Sequence, residues 1–126
     1  GDLAFFYDRN AFWHNYALPD LRIILLNNHG GGIFRMIDGP AQQPELEEYF
    51  VTRQTLEAEN TAKDFGMNYQ KISLRSQGEL AQLREILPEF MHQESKHARI
   101  LEIITDADVN TRIFRHYKTL LNQEME

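Results

Sequence analysis

The sequence predicts an α/β fold with a mostly parallel sheet and helices on both faces. Helical and strand-like segments alternate at a spacing of roughly 30 residues, which is typical of layered α/β domains. Two short apolar runs without polar alternation, residues 21–26 and 98–104, are typical of parallel strands buried on both sides. With 126 residues, the chain has the ordinary length of one domain, and we expect a single domain over residues 1–126.

The first third of the chain contains one helix and one strand. A helix is predicted over residues 3–17, because their apolar side chains roughly follow a helical stripe that Leu18-Pro19-Asp20 ends. The strand 21–26 follows, and after it the segment 29–32, whose three glycines favour positive φ and close approach to a ligand. Residues 38–44 are predicted to be a turn-rich loop.

The rest of the chain continues the alternation. Residues 45–50 predict one or two helical turns, and a helix over 55–65 is closed by Gly66. The remaining elements are a strand over 68–74, an amphipathic helix over 78–92, the strand 98–104 and a last helix over 110–121. The apolar face of the helix 78–92 is expected to carry Leu80, Leu83, Ile86, Leu87, Phe90 and Met91.

Composition excludes several classes of function. The formal net charge of −6 argues against a general nucleic-acid binder, which needs a basic face for phosphate contacts. The absence of cysteine excludes disulfides, thiolate nucleophiles and cysteine-ligated zinc. No signal peptide and no apolar run long enough to cross a membrane are visible, so we expect a cytoplasmic protein.

The residues after the strand 21–26 are the first candidates for chemistry, because ligands of parallel sheets bind beyond the carboxyl ends of strands. These residues are Asn27, Asn28, His29 and Gly30. A dinucleotide fingerprint does not fit the segment, because Arg35 stands where the third glycine of G-x-G-x-x-G belongs. A plain turn is one interpretation of the segment.

A metal-diphosphate anchor is the other interpretation. Asp2 lies at the start of the first helix, whose N-terminus could receive a phosphate, and 24 residues separate it from Asn27. A divalent cation would be needed to bridge that carboxylate and a diphosphate. Asp2, Asn28 and a backbone carbonyl near Gly30 could supply three oxygen ligands to magnesium.

The same residues resemble a known family. Gly1-Asp2, two dozen residues and then Asn27-Asn28 is similar to the thiamin diphosphate motif, Gly-Asp-Gly followed by Asn-Asn, with Leu3 in place of its last glycine. Residues 1–11 and 27–34 resemble the 2-succinyl-5-enolpyruvyl-6-hydroxy-3-cyclohexene-1-carboxylate synthase family of menaquinone biosynthesis. The resemblance implies a thiamin-diphosphate-binding fold and the C-terminal fragment of a longer enzyme.

The resemblance also implies roles for individual residues. Asp2, the Asn28 side chain and the Gly30 carbonyl would bind magnesium, or manganese in its place. The thiamin diphosphate would contact these residues and a further set composed of Gly1, Leu3, Ala4, Gly31, Ile33 and Phe34. No catalytic residue is assigned, because the glutamate that activates the cofactor lies in another domain of a partner subunit in this family. His29 stands where the family more often has an acidic or amide residue.

The implied reaction belongs to the parent enzyme, a homo-oligomer without a membrane span. It decarboxylates 2-oxoglutarate and adds the resulting succinyl carbanion equivalent to isochorismate, and the fragment is expected to be inactive alone. Two alternatives stay open. One is another thiamin diphosphate enzyme, a 2-oxo acid decarboxylase or acetolactate-type synthase. The other is a non-catalytic flavodoxin-like binding module, in which Asp2 and Asn28 are only turn residues.

Overall fold

A three-stranded parallel sheet forms the centre of the molecule, as the sequence predicts. The computed structural model describes residues 1–14, 16–37 and 39–124. The strands are β1 (Arg22–Asn27), β2 (Asn68–Ser73) and β3 (Arg99–Ile104). Their order is β1-β3-β2, and β3 pairs in parallel with both neighbours, so the most buried strand lies in the middle.

Helices pack on both faces of the sheet. On one face lie α1 (Asp2–Tyr7) and α2 (Glu59–Asp64), and their apolar side chains meet Leu25 and Ile100. On the other face α3 (Gln77–His92) packs on the next residue of β3, Leu101. Successive side chains of β3 therefore serve opposite faces, as the pleat of a strand requires.

The last helix is longer than the sequence predicts. It is α4 (Ala107–Glu124), and it begins directly after Asp106. The carboxylate of Asp106 accepts hydrogen bonds from the backbone N–H groups of Asp108 and Val109 at 2.9 and 2.8 Å. This side-chain cap fixes the start of the helix three residues before the predicted position, beside the carboxyl end of β3. Among the described residues, no helix combines the length and the apolarity that a membrane crossing needs.

The predicted helix over 3–17 is wrong for most of its length. The α-helix ends at Tyr7, and a 3-10 turn over Arg9–Phe12 follows. Asp8 caps the end of α1, and Asp and Asn side chains favour caps over helix interiors. Asn15, which the predicted helix also includes, lies outside the described residues.

Between β1 and α2 the chain forms short turns rather than long helices. Two 3-10 turns, Gly32–Arg35 and Pro40–Gln42, precede a π-helical segment over Leu46–Val51. The latter is the one or two turns predicted for residues 45–50. Asp38, the first residue of the predicted turn-rich loop, lies outside the described residues. Gly66 has a φ of 64° just after α2, which confirms its predicted role in closing that helix.

Candidate functional site

A cavity of about 490 Å³ lies where α1 begins and β1 ends. The structure brings every residue predicted to bind the cofactor to this one space, although the predicted set comes from two segments more than twenty residues apart. Their roles as ligands stay predictions. The predicted residues that line the cavity are Gly1, Asp2, Leu3, Ala4, Asn28, Gly30, Gly31, Ile33 and Phe34.

Among the described residues that line this cavity, Asp2 is the one acidic residue, and 3% of it is exposed. Its Oδ2 atom accepts hydrogen bonds from the Gly30 N–H and from Gln54 Nε2, both at 2.8 Å. Both hydrogen bonds that the described residues make to this carboxylate are therefore on one oxygen. Oδ1 remains available to another partner.

The two adjacent asparagines have different surroundings. Asn27 is fully buried, and its amide is engaged in hydrogen bonds on both the nitrogen and the oxygen. Asn28 is half-buried and lines the cavity, and no side-chain hydrogen bond joins it to the described residues. Of the two, only Asn28 therefore has an amide without a partner among the described residues, and its role as a ligand stays a prediction.

The glycines after β1 let neighbouring groups approach the backbone closely, whereas positive φ in this segment falls on His29, with a φ of 60°. The Asn27 side chain accepts a hydrogen bond from the His29 N–H at 3.0 Å, which supports this conformation. A Cβ atom on Gly30 would lie 2.9 Å from Val51 Cγ1, and one on Gly32 would lie 2.5 Å from Asn28 Nδ2. The expected positive φ therefore occurs in the segment 29–32, but on the histidine rather than on a glycine.

The third predicted cation ligand is the carbonyl of Gly30. It accepts a hydrogen bond from the Gly32 N–H at 2.9 Å. A carbonyl oxygen has two lone pairs, so one of them is still available. Within residues 1–14, 16–37 and 39–124, no cluster of three or more His, Cys, Asp or Glu side chains could hold a metal ion. The predicted ligand set, with its single carboxylate, is not a cluster of that kind.

A second cavity, of about 600 Å³, adjoins the first and shares Asn28, Gly30, Gly32 and Thr105 with it. Arg35 lies on its wall and pairs with Glu47, at 2.7 Å, and with Asp108 at the start of α4. These ion pairs connect the π-helical segment to α4 across the end of the sheet. Glu47 also pairs with Arg53 at 2.8 Å, and the hydrogen bond from Arg53 lowers the pKa of the Glu47 carboxyl.

His29 also lines this second cavity. Its Nδ1 atom is buried and has no hydrogen-bond partner among the described residues. The His29 carbonyl accepts the N–H of Gln54 at 3.1 Å, so the backbone of this residue is held on both sides.

Comparisons with known proteins give one consistent answer. A protein from Cytophaga hutchinsonii is 51% identical over 123 residues, which are 98% of this chain and 21% of that protein. Relatives from Christiangramia forsetii and Flavobacterium johnsoniae are 36% and 38% identical over 117 residues, or 93% of the chain. Each is named 2-succinyl-5-enolpyruvyl-6-hydroxy-3-cyclohexene-1-carboxylate synthase. The chain corresponds to one segment of a synthase of this family.

The chain spans about a fifth of the length of these curated synthases, between 19% and 21% for the three relatives named above. No protein-family model matches the chain. The assignment to the synthase family therefore rests on these relatives. In the structure, the two sequence segments that carry the resemblance to the synthases, residues 1–11 and 27–34, both contribute to the cavity of about 490 Å³.

The oxygens around that cavity fit a hard divalent cation. The chain offers there one carboxylate, Asp2, the side-chain amide of Asn28, which has no partner among the described residues, and the partly used carbonyl of Gly30. Oxygen ligands of this kind are those that magnesium takes in proteins, together with phosphate oxygens and water. With only one charged ligand, the site keeps room for the negative charge of a diphosphate.

Several residues around the site were not predicted from the sequence. Gln54, which contacts Asp2, lies in a stretch without periodicity or motif, and no sequence signal points to it. Glu102 gives a signal, because a single acidic residue interrupts the apolar strand Arg99–Ile104. The cavity lining also includes residues that the sequence interpretation left out, namely Leu26, Gly32, Met36, Thr105 and Asn110.

Proposed function

We propose that this chain is the segment of a thiamin-diphosphate-dependent synthase that holds the diphosphate of the cofactor and its divalent cation. One observation carries the proposal. The residues that the family motif marks as ligands surround a single cavity, with the buried Asp2 carboxylate and the unpartnered Asn28 amide on its wall. A chain in which these were only turn residues would not need to bury a carboxylate there without a cationic partner.

The residues divide into three roles under this proposal. Asp2, Asn28 and the Gly30 carbonyl would hold Mg²⁺, which would supply positive charge between carboxylate and diphosphate. Gly1, Leu3 and Ala4 would line the diphosphate, and Gly31 would allow its close approach. Ile33 and Phe34 form an apolar wall toward the rest of the cofactor and the substrate. Phe34 is supported by Phe50, whose ring centroid lies 5.7 Å away.

For the whole protein we propose the reaction of the synthase family. It would decarboxylate 2-oxoglutarate and add the resulting succinyl unit to isochorismate in menaquinone biosynthesis. Bound thiamin diphosphate supplies the electron sink that such a decarboxylation requires. The contribution of this chain is to bind and orient the cofactor through its cation. We further propose that the whole protein is a homo-oligomer, because the family places the cofactor between subunits.

The test is cofactor binding and turnover by the full-length protein and by its Asp2→Ala variant. Titration calorimetry with thiamin diphosphate and Mg²⁺ should show magnesium-dependent binding that Asp2→Ala weakens more than about 100-fold, since loss of a group that only supports a metal ligand already costs 10–100-fold. Asp8→Ala is the matched control, because Asp8 is exposed just after the same helix. Its binding should equal that of the unmodified protein.

Turnover separates the alternatives. Release of carbon dioxide from 2-oxoglutarate coupled to consumption of isochorismate supports the synthase. Turnover of pyruvate alone would keep the cofactor and favour an acetolactate-type enzyme or another 2-oxo acid decarboxylase. Absence of both turnover and cofactor binding would contradict the proposal and favour a non-catalytic binding module.

A further inference from the structure

A buried acidic residue in the central strand begins a chain of hydrogen bonds that ends at the candidate site. Glu102 is fully buried in β3, and its carboxylate accepts hydrogen bonds from three different parts of the fold. Oε1 accepts Asn27 Nδ2 at 2.7 Å, and Oε2 accepts the Ala58 N–H at 2.9 Å and the Tyr69 hydroxyl at 2.6 Å. Burial, reinforced by the bond to Glu102, raises the pKa of the Tyr69 hydroxyl, so this group remains a donor.

Asn27 continues the chain of hydrogen bonds from β1. Its Nδ2 atom donates both to Glu102 and to the Leu56 carbonyl, the latter at 2.9 Å. Because both amide hydrogens are used, the orientation of the amide is fixed and Oδ1 must point to the other side. There Oδ1 accepts the His29 N–H at 3.0 Å and Gln54 Nε2 at 3.1 Å.

Gln54 makes the last connection. Its Nε2 atom donates to Asn27 Oδ1 and to Asp2 Oδ2, while its Oε1 accepts the N–H of Leu56. Every polar atom of this side chain is thus engaged, and only one orientation of the amide satisfies all three partners. The contact with Asp2 joins residues 52 positions apart in the sequence.

The charge of these groups matters as much as their geometry. Asp2 is oriented by two neutral donors, the Gln54 amide and the Gly30 N–H. An arginine or lysine in place of Gln54 would hold the carboxylate but also neutralise it. With neutral donors on Oδ2, the negative charge of Asp2 remains available to a cation in the cavity.

We propose that Gln54 is a positioning residue for the cation ligand Asp2, and that Asn27 and Glu102 hold Gln54 in place. This inference rests on the proposed function, since it takes Asp2 to be a ligand. It adds a support to the site that lies outside the family motif. Supporting groups of this kind fix the direction of a metal ligand, and their loss typically lowers metal affinity by about 10–100-fold.

The test compares Gln54→Leu with the unmodified full-length protein. Titration calorimetry with Mg²⁺ at saturating thiamin diphosphate measures the Kd of the cation, and thermal unfolding without ligands measures the fold. We expect the Kd to rise by about tenfold or more, with little change in the unfolding temperature. Gln82→Leu is the matched control, because Gln82 is exposed on α3 and makes no side-chain hydrogen bond to the described residues. Its Kd should not change.

A second variant tests the connection to Glu102. Glu102→Gln keeps the shape but replaces one acceptor oxygen by a donor, which breaks part of the network. If both residues act in series, the double variant Glu102→Gln/Gln54→Leu should bind Mg²⁺ about as weakly as Gln54→Leu alone. If the fold-increases in Kd of the two single variants multiply in the double variant, the proposed connection between Glu102 and Gln54 is overturned. Where Glu102→Gln does not fold, Tyr69→Phe, which removes one donor to Glu102, takes its place.

The outcomes distinguish this inference from the proposed function. An unchanged Kd in Gln54→Leu, with normal binding by the unmodified protein, overturns the positioning role and leaves the proposed function intact. A higher Kd together with a clear fall in the unfolding temperature without ligands identifies a structural role, and this result also overturns the positioning role. Failure of the unmodified protein to bind magnesium and thiamin diphosphate overturns both.

Discussion

Asn27 and Asn28 show how two identical neighbouring residues acquire different tasks. Asn27 is the last residue of β1 and enters the buried network, whereas Asn28 is the first residue after the strand and lines the cavity. The sequence marks the pair as a unit, but only the partners distinguish the two. Those partners are distant along the chain, since Asn27 and Glu102 are 75 positions apart. Hydrophobic periodicity and residue propensity do not show which of the two amides remains without a hydrogen-bond partner.

The same limit explains why some residues of the candidate site were not predicted from the sequence. The motif predicted Asp2 and Asn28 because their spacing is visible in the sequence. Gln54 depends on the path of the segment after the π-helical turn, which carries no hydrophobic periodicity to fix it. The roles of such residues follow from tertiary contacts rather than from propensity.

Gly32 offers a test of Asn28 that barely disturbs the fold. In Gly32→Ala, the new Cβ would lie 2.5 Å from Asn28 Nδ2, so the amide must move away. Because that atom is the end of a flexible side chain, we expect the free energy of unfolding to change by less than about 1 kcal/mol. If Asn28 binds the cation, the Kd for Mg²⁺ should rise by about tenfold, as measured by calorimetry on the full-length protein.

Gly78→Ala is the control for this substitution. A Cβ atom there meets only Ser76 Oγ at 3.5 Å, which is ordinary contact. Since Gly78 lies in α3, the alanine should not destabilise the fold, and the Kd should remain that of the unmodified protein. Equal Mg²⁺ affinity in both glycine variants would remove Asn28 from the ligand set.

At the scale of elements, the sequence predicts strands better than helix ends. The apolar runs identify β1 and β3 within one residue. The expectation of burial on both faces is confirmed for β3 and wrong for β1, where Ile24 and Leu26 are exposed. The helix predicted over 55–65 begins only at Glu59. The residues before it turn their polar groups toward Asn27 and Glu102, as the Leu56 carbonyl and the Ala58 N–H do. The buried carboxylate of Glu102 thus shifts the start of the helix to Glu59. Helix propensity alone does not predict this shift.

The helix α3 allows a matched prediction with two adjacent residues. The sequence placed Phe90 and Met91 on one apolar face, but Phe90 is 1% and Met91 is 47% exposed. The expectation for Met91 is wrong, because at the end of the helix Phe90 is buried against the sheet and Met91 is exposed. Phe90→Ala should lower the free energy of unfolding by about 3–5 kcal/mol, through lost burial and the cavity left behind. Met91→Ala should cost less than about 1 kcal/mol, since little burial is lost.

Urea denaturation of the full-length protein, followed by circular dichroism, measures both variants. Since Phe90 packs with Leu101 and Ile103 of the central strand, its loss should act on the whole sheet. A similar small effect of both substitutions would show that α3 does not bury Phe90 against β3.

At the scale of the whole molecule, the surface carries several large apolar side chains. Ile24 and Leu26 of β1 are 45% and 56% exposed, and Ile113 and Tyr117 of α4 are 61% and 55% exposed. The chain spans about a fifth of its relatives, so a synthase of their length has further parts that could cover such side chains. The cavity of the candidate site is lined by α1, the end of β1, the segment after it, and by Thr105 and Asn110.

The isolated chain of 126 residues should therefore be unable to catalyse the reaction. Under the proposed function it supplies the anchor for cation and diphosphate, while the family resemblance implies that the cofactor-activating glutamate lies in a partner subunit. We expect no consumption of isochorismate above background with 2-oxoglutarate, Mg²⁺ and thiamin diphosphate, under conditions in which the full-length protein turns over. Circular dichroism establishes that the isolated chain is folded, and calorimetry whether it binds the cofactor. Carbon–carbon bond formation by the folded chain alone would mean that every catalytic group lies within these residues. The search for the activating acid would then begin with the carboxylates of the adjoining cavity, Glu57, Asp106 and Asp108.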